Sequence, residues 1–83
     1  MMKMRTKVNV FQLRPGDIAE FNSPKNGFFY DIKVAAQHLT KGKSYIVAKK
    51  EVHNWHTKIW LEEIPDVQFN SCFFDFWHEE KNG

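Results

Sequence analysis

His53 and His56 stand three apart beside a turn, and Cys72 directly follows Ser71. These are residue types that ligate metals or act as nucleophiles. A structural zinc site needs four Cys or His ligands at recognisable spacings. This chain offers one cysteine and one His-x-x-His pair, with His38 and His78 distant in sequence. Strand positions three apart face opposite sides, so only a turn would aim both histidines at one ion. Ser71-Cys72 has no histidine beside it to act as a base. Cys72 reads as a small packing residue. Asn70-Ser71 reads as a pair that bonds the local backbone and shapes a turn. Glu62 and Glu63 are adjacent and, if on a strand, point to opposite sides, unlike a general acid–base pair. Gly42-Lys43-Ser44 lacks the upstream glycine of a phosphate loop. These residues predict no catalytic residue, no metal and no cofactor: the chain is expected not to be an enzyme.

Binding is the chemistry that remains. Alternation along the strands assigns Phe21, Tyr30, Ile32, Leu39, Tyr45, Val47, Trp55, Ile59, Leu61, Phe69 and Phe73 inward. That set fills a small core. Phe29, Ile46, Trp60, Phe74, Phe76 and Trp77 are then a surplus of large apolar groups. Either the N-terminal arm and the C-terminal turn cover them, or they form a contact patch for a protein partner or a second copy. The predicted partner-binding residues are Trp60, Ile46, Phe74, Trp77 and Lys58, with Trp60 foremost. The alternative is a single-stranded nucleic-acid site of Lys41, Lys43, Lys49, Lys50 and Lys58, with Trp60 as the stacking platform. Glu51, Glu62, Glu63 and Asp66 lie in the same stretch and would repel phosphates.

The elements that must position these residues are strands. The chain has 83 residues, enough for one domain (1–83) near the lower limit for a self-sufficient core. Aromatics make up 16% of it, which lets so small a core bury substantial area. A single cysteine permits no internal disulfide, as suits a reducing cytosol. The basic start lacks the apolar run of a signal peptide, and no stretch is long and apolar enough to span a membrane. Net charge is +2, but it is uneven: residues 1–50 carry ten Lys or Arg against three acids, and residues 51–83 carry two against seven. Either interleaved strands mix these charges, or the molecule has a basic and an acidic face.

Turn signals recur at Arg14-Pro15-Gly16-Asp17, Ser23-Pro24-Lys25-Asn26-Gly27, Thr40-Lys41-Gly42-Lys43, His53-Asn54 and Ile64-Pro65-Asp66. Between them, Val8 to Val10, Asp17 to Asn22, Phe28 to Val34, Ser44 to Val52, Trp55 to Leu61 and Phe69 to Phe76 alternate as strands. Ala35 to Leu39 reads as a helical turn or a loop. A bulge or short helical turn is expected at Asn70-Ser71-Cys72, and a marginal helix at Asp75 to Lys81. Residues 1–11 read as an arm or edge strand, and residues 79–83 as a frayed tail. The predicted fold class is all-β, five or six mostly antiparallel strands in a strongly bent sheet forming a partly open barrel, with an oligonucleotide-binding-type barrel as the main competitor.

The run Leu39 to Val47 (LTKGKSYIV), then Trp55-x-Thr57-x-Ile59-x-Leu61, then Phe69-Asn70-Ser71, resembles small phage and prophage proteins with a Src-homology-3-like (SH3-like) barrel. The resemblance covers about Val34 to Phe76. It implies that fold, and a mobile-element accessory protein of the bacterial cytoplasm that acts by occluding a host or defence protein. It says little of function beyond that, since one fold hosts many roles.

Overall fold

The computed structural model describes residues 4–23, 29–54 and 57–80. Six strands form one unclosed antiparallel sheet in the order β1-β6-β2-β3-β4-β5. They are β1 (Met4–Val8), β2 (Ile18–Phe21), β3 (Ser44–Val52), β4 (Thr57–Leu61), β5 (Ile64–Asn70) and β6 (Phe74–Glu80). One helix, α1 (Phe29–His38), joins β2 to β3, and a 3-10 turn at Ser71–Phe73 joins β5 to β6. The domain is therefore mostly β. Its helix is ten residues long, and no helix among the described residues could cross a membrane.

Two glycine turns set the path, both through backbone that side chains resist. Gly16 has φ +95° and Gly42 has φ +84°. Each sits third in a four-residue turn closed by a backbone bond, Asp17 N to Arg14 O at 3.1 Å and Lys43 N to Thr40 O at 3.0 Å. A glycine of positive φ at that position is the mark of a type II turn, and Pro15 supplies the favoured second residue of the first. The Tyr45 hydroxyl accepts from Thr40 N at 2.9 Å, tying the second turn to β3. A third turn is built by Asn9, whose Oδ1 accepts from Phe11 N and Gln12 N. It brings Leu13 into the core.

Three readings of the sequence are corrected. The strand expected over Phe28 to Val34 is instead helix from Phe29 onward, since residues 29–38 are helical. Ile32, Ala35 and Leu39 recur at helical spacing on the face that meets β5, with Ala35 and Leu39 buried. The alternation of Ile32 and Val34 mimicked a strand. Ile64-Pro65-Asp66 does not break the chain but begins β5. Pro65 is tolerated because β5 is an edge strand, where a missing N–H interrupts no ladder on its open side. Asp75 to Glu80 is strand, not helix: it pairs with β1, Arg5 opposite Glu79 and Lys7 opposite Trp77. The edge strand β1 thus holds Glu79 and Glu80, while residues 81–83 lie outside the described residues.

The core is a phenylalanine cluster. Phe21 meets Phe73 edge-on at 6.1 Å and Phe74 at 5.8 Å, and Phe74 stacks on Phe76 at 6.0 Å. Such pairs add about 0.5–1.5 kcal/mol each beyond area burial. Leu39, Tyr45, Val47, Ile59, Leu61, Phe69 and Phe73 are buried as predicted, and Ile32 packs on them. The Tyr30 side chain, Phe28, Trp55 and the turn at 24–27 lie outside the described residues. The expected helical turn before the last strand is present: Asn70 caps it, its Oδ1 accepting from Cys72 N at 3.1 Å.

Candidate functional site

The side of the sheet away from the core carries the exposed chemistry. Residues directly opposite one another in an antiparallel pair share a face. Ile46 stands opposite Ile18, Ile18 opposite Trp77, and Trp77 opposite Lys7. Four strands, β3-β2-β6-β1, therefore contribute one row of side chains to the outer face. Ile46 and Trp77 are half-buried, and Ile18 forms the floor at 5% exposure. The Lys7 ammonium lies 5.9 Å from the centre of the Trp77 ring and 3.6 Å from Asp75. A groove of about 430 Å³ opens over the Ile46 and Ile18 end of this row, with both at its base.

Trp60 lies on the outer face too, but on the far side of a bend. Val47 pairs with Leu61, and the next pair is Lys49 with Trp60, so Ala48 is an extra residue. This bulge reverses which residues of β3 point inward. Lys49 is turned outward, its ammonium 4.7 Å from the centre of the Trp60 ring. Lys50 is turned inward and donates to the carbonyls of Val10 and Phe11 at 3.2 Å each. The predicted patch is thus two separate features: the Ile46–Ile18–Trp77 row and the Lys49–Trp60 pair.

Phe74 leaves the patch altogether. It is 8% exposed and packs between Phe21, Phe69 and Phe76, so a partner has no access to it. The reason is register. Phe74 and Phe76 share the inner face of β6, and Asp75 and Trp77 share the outer one. The 3-10 turn resets the alternation after Phe73, so two consecutive phenylalanines both reach the core. Lys58 is also engaged: its ammonium is 3.7 Å from Asp31 of α1, with both side chains largely buried.

The lysines of the nucleic-acid alternative do not form one stripe. Lys41 and Lys43 are exposed at the Gly42 turn, where the Lys43 ammonium lies 5.4 Å from the Tyr45 ring. Lys49 is outside β3, Lys50 is inside, and Lys58 faces α1. Of the described histidines, His53 contacts Glu51 at 2.7 Å, His38 meets the Phe69 ring, and His78 contacts Asp17 at 2.8 Å. His56 lies outside the described residues. Burial, and then the Asp31 charge, raise the Cys72 thiol above its ordinary pKa, which opposes nucleophilic use at neutral pH.

The sequence reading missed the acidic part of the outer face. Glu62 and Glu63 are not strand residues but the two-residue loop between β4 and β5. Neither has positive φ, so the loop is not the primed turn that matches strand twist; the ladder shifts register between Trp60 and Leu61 instead. Glu62 N donates to Ile46 O, and the Glu63 carboxylate accepts from Ile46 N, folding the loop against β3. Glu79 joins them at the groove from β6, 3.4 Å from Arg5 of β1. Farther along the outer face, Asn22 donates to both Glu20 and Asp75. Only the alternation of Ile18 against Ala19 and Phe21 hinted at this face; its pairings join residues as far apart as Arg5 and Glu79, 74 positions.

The fold and face described here define a small all-β domain with a polar, partly aromatic outer surface. The family model of Bacteriophage T4 protein Y07B matches residues 18–83, and the chain belongs to that family of small phage proteins. The match begins at the first residue of β2. No curated protein and no solved structure gives a significant match.

Proposed function

We propose that the protein is a non-enzymatic phage accessory module of the bacterial cytoplasm that binds a host or defence protein through its outer sheet face. The observation that carries this reading is the Ile46–Ile18–Trp77 row. It places an aromatic and two branched aliphatic side chains side by side on a face the core does not use, with a groove over the two isoleucines. Partly exposed aromatics over an apolar floor are common anchors of protein interfaces. The SH3-type reading of the barrel rests on β3, which bends at its bulge and pairs on both sides, and on the 3-10 turn before the last strand.

Affinity purification from host cells, with nuclease added, tests the reading. Tagged wild type should retain a stoichiometric host protein, and Trp77→Ala should lose it while keeping the far-ultraviolet spectrum. Loss of capture on nuclease treatment would transfer the face to nucleic acid. Light scattering separates self-association: a dimer abolished by Trp77→Ala would make the occupant a second copy.

A further inference from the structure

The groove over Ile18 and Ile46 is walled by acid. Glu62 and Glu63 stand at one end, on the β4–β5 loop, and Glu79 stands on β6. Among the described residues Arg5 is the one cation lining it, and its guanidinium is already beside Glu79 at 3.4 Å. Glu63 is held in place by Ile46 N at 3.1 and 3.2 Å, so its position precedes any ligand. This local balance opposes that of the whole chain, which is +2. We propose that the groove takes an extended peptide segment of a partner protein in which lysine or arginine alternates with an apolar side chain. This rests on the protein-binding reading above and specifies the partner's chemistry.

The two parts of the groove ask for different parts of that segment. About 430 Å³ is within the range of ligand pockets, too small for a folded element and large enough for a few side chains. Half-buried Ile46, beside the already buried Ile18, favours an aliphatic group that removes its remaining surface from water. The carboxylates favour cations that remain near solvent at the rim, where the interaction speeds encounter and weakens with salt. In an extended peptide, residues two apart share a face, so an apolar side chain reaches the floor while its neighbours diverge toward the walls.

Fluorescence anisotropy with labelled synthetic peptides tests this on the full chain. A short alternating lysine–leucine peptide should bind at low salt, and more weakly at high salt. Its glutamate–leucine counterpart should not bind. Lysine–serine should bind at least roughly tenfold more weakly than lysine–leucine, since it leaves the floor empty. Glu62→Lys, in the exposed loop, should weaken lysine–leucine binding roughly tenfold, with its fold verified by circular dichroism. Equal binding of lysine–serine, or unchanged binding by Glu62→Lys, overturns the proposal. If Trp77→Ala abolishes capture of the host protein and no basic peptide binds, the outer face stands as the interface and the groove chemistry falls alone. If capture also survives Trp77→Ala, both readings fall.

Discussion

His78 Nδ1 lies 2.8 Å from Oδ1 of Asp17, a carboxylate only 3% exposed. Asp17 immediately precedes β2 and His78 lies in β6, so the contact spans sixty-one positions of sequence between adjacent strands. The other oxygen of Asp17 accepts from Arg14 N at 3.0 Å and helps close the Pro15-Gly16 turn. An ionised carboxylate only accepts, so in that state Nδ1 carries the hydrogen. The Arg14 guanidinium stands 3.0 Å from the His78 ring nitrogens on the exposed side.

Asp17→Ala should therefore destabilise the domain by about 1–3 kcal/mol, since it leaves a backbone N–H and an imidazole without their acceptor. Urea denaturation should show a lower midpoint with an unchanged slope. A loss below about 0.5 kcal/mol, the usual range of surface changes, would remove this contact from the account of stability.

Phe74 and Trp60 should separate core from surface. Phe74→Ala opens a cavity among three phenylalanines and should cost about 3–5 kcal/mol. Trp60→Ala loses partial burial and the Lys49 cation–π contact, the latter worth about 0.5–1 kcal/mol at an exposed site. Thermal melts of the two variants should differ widely, with the Trp60 variant still folded. Comparable losses would mean that Trp60 supports the core rather than standing on the outer face.

Gly42→Ala isolates backbone strain. A Cβ there meets nothing within 4 Å, so packing contributes no penalty. Holding φ near +84° should cost an L-residue about 1–2 kcal/mol. Equilibrium unfolding should show that loss, and Gly42→Asn should recover part of it because asparagine tolerates left-handed backbone. A neutral Gly42→Ala variant would mean the turn relaxes to negative φ.

Cys72 makes a pH prediction. Burial first, and then the Asp31 charge, raise its folded-state pKa above the ordinary 9.0. The folded chain thus holds the thiol proton more tightly than the unfolded chain. This contribution to stability is fully present below pH 9.0 and is lost as pH rises through the raised folded value. Cys72→Ala should flatten that part of the stability profile above pH 9.0. Asp31→Asn should lower the thiol pKa and speed alkylation at pH 9.0 in the native state. An alkylation rate indifferent to Asp31→Asn would assign the shift to burial alone.

Much of the fold was legible because it rests on local rules. Pro15-Gly16 and Gly42 announced turns through the conformations only glycine takes easily. Tyr45 and Val47, and Ile59 and Leu61, announced their buried faces through a period of two. Asn70 announced the short helical turn through its side-chain oxygen. Residues 29–34 were misread because a short apolar stretch fits both periods, and what selects the helix is the burial of Ala35 and Leu39 in the core.

The outer face was not legible, for a different reason. Alternation tells which residues of one strand share a side, but not which strand lies beside it. Trp77 meets Ile18 only because β6 returns to pair with β2, and Glu62 and Glu63 reach Ile46 only because a two-residue loop lies across β3. One added residue at Ala48 and one 3-10 turn at Ser71–Phe73 then reverse the side on which Lys50 and Phe74 fall. Local periodicity determined that this chain makes a bent β domain with a phenylalanine core. Long-range pairing, the bulge and the 3-10 turn decided which residues that domain shows on its outer face, because each of the latter two inverts the side chains that follow it.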